Sequence, residues 1–360
     1  MTKTLKAGIL GATGTVGQRF ISLLSEHPHF KIHALGASPR SAGKPYERAT
    51  KWKMAKAMPK EVRQHIVKTC DPRDEFLECD VVFSGLDADV AGEIEMAFMK
   101  ANIPLFSNAK NYRTHPEVPL IVPLTNSSHF DLIPHQRTKH NLDKGFLVTN
   151  ANCSTTGLVV PLGALQDAFG PLSKVMVTTM QAISGAGYPG VASLDILDNV
   201  VPHIGGEEPK MEWETLKILG SLNKDKSGFD LLTNTKVSAT CNRVPVIDGH
   251  LMSVSIEFAR QPAPSVEEIT RVLENYRTEA QELGCYSAPE HAIIVSQEED
   301  RPQPRLDRDN GNGYSVTVGR IRPCPIFDVK FTLLIHNTIL GAAGSGILNA
   351  EIAQKKGYIV

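Results

Sequence analysis

Strong charge of one sign, paired cysteines and long apolar runs are all missing from this chain of 360 residues. Its formal net charge is -1, so no global field draws it toward nucleic acid or an anionic membrane. The six cysteines, Cys70, Cys79, Cys153, Cys241, Cys285 and Cys324, contain no C-x-x-C pair. Widely spread cysteines in a long chain indicate neither a disulfide framework nor a zinc site. No apolar run is long enough to span a bilayer. The N-terminus enters a strand at residues 6–10 with no hydrophobic signal core ahead of it. Internal repeats and low-complexity tracts are also lacking. These absences lead to the expectation of a cytoplasmic protein with no metal, nucleic-acid or membrane partner.

What is present looks like an ordinary two-domain enzyme. At about 150 residues per domain the length fits two units. The first half alternates short apolar strands (6–10, 31–36, 80–84, 103–106) with helical patterns, the first over 15–27, which argues for a parallel α/β sheet. The texture changes after residue 152. A helix is expected just past Cys153, and residues 174–180 are rich in β-branched side chains. Met252, Val254, Ile256 and Phe258 alternate, as do Val329, Phe331, Leu333 and Ile335. Such period-two strands suit a sheet with one face buried and one available. Residues 297–313, charged and rich in Pro and Gly, read as an exposed loop, and residues from 340 onward as a closing helix of small residues.

Gly11-Ala12-Thr13-Gly14-Thr15-Val16-Gly17 lies between the first strand and first helix. There, glycines let backbone approach a pyrophosphate and the helix N-terminus offers free N–H groups. The spacing is G-x-x-G-x-x-G rather than the usual G-x-G-x-x-G, and a tight turn with no ligand is the bland alternative. After the second strand, Ser38, Arg40 and Ser41 stand where an NAD binder carries a carboxylate. Hydroxyls and a cation there suit a 2′-phosphate, so NADP is expected.

Cys153 follows Asn152 at an expected helix N-terminus, where the dipole and nearby cations would lower the thiol pKa and favour thiolate. Asn152 and local N–H groups could hold an oxyanion. A free cysteine is otherwise most often a small buried hydrophobe, a reading that suits the others; Cys241, two residues from Arg243, is the next candidate. Of twelve histidines, His250 stands out, between the Asp248-Gly249 turn signal and a strong strand.

In order along the chain stand the glycine turn, Ser107-Asn-Ala-Lys-Asn-Tyr-Arg113, Asn152-Cys153-Ser154-Thr155, Gln181-Ala-Ile-Ser184-Gly185-Ala-Gly187 and Asn242-Arg243-Val-Pro-Val-Ile-Asp-Gly-His250. Together these resemble the aspartate-semialdehyde dehydrogenase family, on the side of its archaeal and fungal members. The resemblance implies a fold of two parts. Residues 1–152 would form a doubly wound, Rossmann-type NADP domain completed by 337–360. Residues 153–336 would form an α+β mixed-sheet domain for catalysis and dimerisation, in a homodimer or homotetramer. It implies Cys153 as nucleophile, His250 as general acid/base and Gln181 as the residue positioning the reacting group. Arg243 would clamp the substrate carboxylate, Glu207 and Lys210 would read amine and phosphate, and Arg113 and Asn152 would complete the phosphate contacts. Glu208 is the register alternative to Glu207. Ser84, Gly85, Ser184, Gly185, Gly187 and Asn337 would extend the cofactor site.

The activity implied is NADPH-dependent reduction of β-aspartyl phosphate to aspartate semialdehyde through a cysteine thioester, in the biosynthesis of the aspartate-derived amino acids. Two alternatives differ in chemistry. A related reductase of N-acetylglutamyl phosphate or malonyl-CoA would have no ammonium for Glu207 to meet. A non-catalytic NADP-sensing protein would have no use for Cys153 and His250 together.

Overall fold

A computed structural model describes residues 4–360. Seven strands build the first sheet: β1 (Leu5–Leu10), β2 (Phe30–Ala37), β3 (Lys68–Thr69), β4 (Val81–Ser84), β5 (Pro104–Ser107), β6 (Leu120–Ile121) and β7 (Phe146–Asn150). All pair in parallel, in the order β3-β2-β1-β4-β5-β7-β6. The order reverses direction between β1 and β4, which opens a crevice at their carboxyl ends, the usual ligand position in a doubly wound sheet. These strands are almost continuously apolar because both faces are covered.

A two-stranded ribbon, β9 (Ser221–Leu222) and β10 (Phe229–Asp230), follows the helix Glu207–Ile218. The second sheet contains β8 (Leu172–Gln181), β11 (Lys236–Arg243), β12 (His250–Phe258), β13 (Ile293–Ser296), β14 (Val316–Pro323) and β15 (Val329–Ile335). Its order is β11-β8-β12-β15-β14-β13, with parallel pairs at both edges and antiparallel pairs between. The alternation expected for β12 is present: Met252, Val254, Ile256 and Phe258 are buried, while the residues between them are not; in β15 it holds from Val329 to Leu333, after which Leu334 is buried too.

The helix Cys153–Phe169 is buried along most of its length, from Ser154 to Leu165. A helix apolar all round belongs between layers, and this one packs against the second sheet, the helix Glu207–Ile218 and the closing segment. That segment is a π-helical turn, Ile339–Ala343, running into the helix Gly344–Lys355, which packs back on the first sheet and on the helix Thr15–Leu24. One hydrophobic cluster joins both halves.

Two expectations need correction. The first helix stops at Leu24, not residue 27, and His27 turns inward against Phe30 and Tyr286. Residues 297–313 are not simply an exposed loop. Asp307 is buried, holds Arg301 and the Gln303 N–H, and sits in a short helix, Pro304–Asp307. Arg308 donates to the Asp248 carbonyl. Glu298, Glu299, Asp300, Arg305 and Asp309 are exposed as expected, while Asp307 and Arg301 pair within the segment. Among the described residues, no helix is long and apolar enough to cross a membrane.

Candidate active site

Register brings the candidate residues to one end of the second sheet. Gln181 and Arg243 are neighbours at the carboxyl ends of the parallel strands β8 and β11. Antiparallel β12 begins beside them with His250. The helix starting at Cys153 points its N-terminus at this cluster. His250 Nε2 lies 3.2 Å from Cys153 Sγ.

The backbone N–H of Ala182 donates to His250 Nδ1 at 3.0 Å. Nδ1 is thereby an acceptor, and the neutral ring carries its proton on Nε2, facing the sulfur. An imidazolium would turn a second N–H against that of Ala182. Burial pushes His250 down to about 3, and Arg243 and His336 push the same way. The expected depressed thiol is also corrected. Burial pushes Cys153 up to about 12, with the Glu207 charge adding to the effect, against the pull of Arg243 and Arg113. The helix N-terminus helps less than expected because Asn152 Oδ1 already accepts from the Ser154 and Thr155 N–H groups. The resting pair is thiol and neutral imidazole.

Asn152 is an N-cap on one side and a donor on the other: its Nδ2 lies 2.8 Å from Glu207 Oε2. Its amide is therefore already engaged before any oxyanion arrives. Gln181 Nε2 reaches Thr179 Oγ1 and, at 3.4 Å, Glu207. Lys210 pairs with Glu207 at 2.8 Å, three residues on along the same helix face. Burial opposes the Glu207 charge, but Lys210, Asn152 and Gln181 outweigh it and hold the carboxyl below its usual range. Glu208 turns away, accepting from the Cys241 N–H. Of the two adjacent glutamates, Glu207 is the one that joins Asn152 and Gln181 in this cluster. Arg243 donates to the Ala182 carbonyl at 2.7 Å and Arg113 to Glu214 at 2.8 Å. Cys241 is fully buried beside Met211, and burial raises its thiol to about 11.

The cofactor turn passes a direct test of fit. Gly11 has φ +71 and a Cβ there would meet the Gly85 carbonyl at 2.6 Å; one at Gly17 would meet the Gly11 carbonyl at 2.2 Å. Gly14 meets nothing closer than 3.4 Å and is exposed, and no side chain caps the helix Thr15–Leu24. Thr15, Val16 and Gly17 thus open an uncapped ten-residue helix, suited to a pyrophosphate. Thr13 faces inward with its carbonyl, which accepts from Gln18 and Thr50. Ser38, Arg40 and Ser41 form the turn after β2, with Ser38 and Arg40 exposed and Ser41 half-buried. The Ser84 hydroxyl donates to the buried Glu95. Gly185 packs where a Cβ would lie 2.9 Å from Arg243 and 3.2 Å from His250, while Gly187 is open with φ +70. Asn337 is a brace: it donates to Ser184 Oγ and accepts from the Gly249 N–H.

Three functional features escaped the sequence reading. Glu214 bonds both Arg113 and the Asn152 N–H, and Lys217 is buried beneath residues 113–118. Their signal was present: 207, 214 and 217 fall on one helical face. Gly341 touches the nucleophile, since a Cβ there would sit 2.9 Å from that of Cys153, and nothing in the sequence marks that approach.

Comparison with known proteins agrees with this geometry. Residues 6–133 match the model described as semialdehyde dehydrogenase, NAD binding domain, and 162–340 match semialdehyde dehydrogenase, dimerisation domain. The aspartate-semialdehyde dehydrogenase of Schizosaccharomyces pombe is 65% identical over 98% of this chain and 99% of its own. The chain belongs to the aspartate-semialdehyde dehydrogenase family. Family members from Saccharomyces cerevisiae and Archaeoglobus fulgidus are 53% and 47% identical, each over 98% of both chains. The crystal structure of the family member from Candida albicans, solved with NADP, superposes with TM-score 0.93 at 53% identity, covering 99% of this chain and 100% of that one. The fungal and archaeal side of the family is thus where this sequence stands.

Proposed function

We propose that this chain reduces β-aspartyl phosphate to aspartate semialdehyde with NADPH, by way of a thioester on Cys153. The Cys153 thiol gives up its proton as the sulfur attacks the acyl carbonyl: a C–S bond forms, and phosphate leaves with the electron pair of the C–O bond and carries the proton away as hydrogen phosphate. NADPH, held at the Gly11–Gly17 turn with its 2′-phosphate at Ser38, Arg40 and Ser41, supplies the hydride that reduces the thioester. Collapse of the tetrahedral anion returns electrons to sulfur and frees the aldehyde. Covalent catalysis divides one difficult reduction into easier steps.

The observation that carries this reading is the Cys153–His250 contact at 3.2 Å, with Glu207, Arg243 and Arg113 close enough for their charges to act on the thiol. His250 acts through its Nε2–H, which lies beside sulfur and hence beside any oxygen on a carbon bonded to that sulfur. A fixed donor there stabilises both the thiolate and the oxyanion. This narrows the expected acid/base role: the ring is a donor, and the thiolate released at collapse regains its proton from solvent. Arg243 receives the substrate carboxylate through its planar fork. Glu207, with Lys210 and Gln181 beside it, receives the ammonium, and Arg113 and Lys210 the phosphate. A need for an ammonium favours the aspartyl substrate over an N-acylated one.

Residues 1–152 with 337–360 form the cofactor unit in this reading, and 153–336 the catalytic one. The open face of the second sheet, including Met176, Thr178 and Ser253, supports a homodimer or a homotetramer built from such dimers. Six unpaired cysteines favour a cytoplasmic setting.

In the reverse direction, NADP reduction beyond the first turnover should require both aspartate semialdehyde and phosphate. Turnover with N-acetylglutamate semialdehyde and none with aspartate semialdehyde would assign the chain to the alternative reductase.

A further inference from the structure

Lys217 is an unusual core residue. It is 1% exposed, and its ammonium meets three backbone carbonyls, those of Arg113 at 2.8 Å, His115 at 2.9 Å and Val118 at 3.0 Å. Among the described residues no carboxylate lies within ion-pair distance of it, and its other neighbours include the faces of Phe229 and Trp213. All three N–H donors are therefore spent on one short stretch of main chain. Burying an ammonium this way is costly, and burial pushes Lys217 down to about 7. Such a group does more than fill space: it fixes three carbonyls around one point on the helix Glu207–Ile218.

The stretch it fixes carries Arg113. The guanidinium is 8% exposed, donates from Nη1 to Glu214 Oε1 and from Nη2 to the Asn108 carbonyl, and keeps a buried Nε without a partner. The second oxygen of Glu214 accepts the Asn152 N–H at 2.7 Å, one residue before the nucleophile. A single helix face thus sets the start of the Cys153 helix through Glu207 and Glu214, and the arginine arm through Glu214 and Lys217.

We propose that Lys217, together with Glu214, is a positioning residue for phosphate recognition. Lys217 locks the main chain of residues 113–118, Glu214 orients the guanidinium, and Arg113 then presents its unused donors to the phosphate. The inference rests on the reading of Arg113 as a phosphate contact.

The reaction offers a way to separate this role from general support of the fold. With NADP and aspartate semialdehyde, formation of the thioester and of the first NADPH needs no phosphate; only release of the acyl group does. Lys217→Met removes the three donors. Glu214→Gln keeps one oxygen for the Asn152 N–H but turns an amide NH2 toward Arg113. Each variant should raise the KM for phosphate by about tenfold or more, with phosphate-free first-turnover NADPH and the KM for aldehyde within about twofold of the parent. Should Lys217→Met fail to fold, Glu214→Gln carries the test alone. An unchanged phosphate KM, or a parallel loss of first-turnover NADPH, would overturn the proposal. Arg113→Ala separates the two levels. If it leaves the phosphate KM unchanged, the reading of Arg113 falls; if it raises that KM while the Lys217 and Glu214 variants do not, only the positioning role falls.

Discussion

At Cys153 three influences compete, and burial wins. The helix N-terminus is partly spent on the Asn152 cap, the arginines are paired elsewhere, and desolvation holds the proton on sulfur. With the thiol pushed up to about 12, the thiolate fraction near neutrality is lower than for a free cysteine and grows as pH rises. Alkylation of Cys153 by iodoacetamide in the ligand-free protein, taken as the difference from Cys153→Ser, should therefore keep accelerating through pH 9. A plateau below pH 8 would mean that an ion pair with imidazolium exists after all. Substrate recognition can be tested separately. Arg243→Lys keeps the charge but loses the fork, so it should cost on the order of 1–3 kcal/mol of transition-state stabilisation while alkylation changes little. Equal losses in both assays would make Arg243 a support of the nucleophile.

Among the elements, the π-helical turn Ile339–Ala343 has the least tolerance. It brings Gly341 against Cys153 so closely that one added methyl has no room. Gly341→Ala should cost about 1–3 kcal/mol of stability by overpacking and lower turnover by shifting the sulfur, with NADP binding preserved. Turnover equal to the parent would show that the helix start moves freely. Elements with one strong period were readable from sequence: β12 and β15 through alternation, β4 and β5 as short apolar runs. Residues 297–313 were legible as largely exposed, but not the burial of Asp307, which depends on its pairing with Arg301. For Glu214 and Lys217 the helical spacing with Glu207 was legible, but their burial was not. Burial of a charge depends on partners distant in sequence, Arg113 and the carbonyls of residues 113–118, that no local pattern announces.

On the scale of the whole molecule, two sheets divide the work and the closing segment ties them. The crevice beside β1 and β4 holds the glycine turn, and the carboxyl ends of β8 and β11 hold Gln181 and Arg243. Motifs along the chain pointed to Cys153, His250 and Arg243, but only the folded arrangement gives the His250 tautomer and places Glu207, not Glu208, beside Asn152. The central claim is that the acyl group passes through Cys153. Its most direct measurement is rapid quenching of the protein mixed with NADP and aspartate semialdehyde in the absence of phosphate, followed by mapping of the modified peptide by mass spectrometry. The account predicts about one NADPH per active site and an aspartyl thioester on the peptide containing Cys153, discharged when phosphate is added. No phosphate-free NADPH, or an acyl group on any other residue, would contradict it.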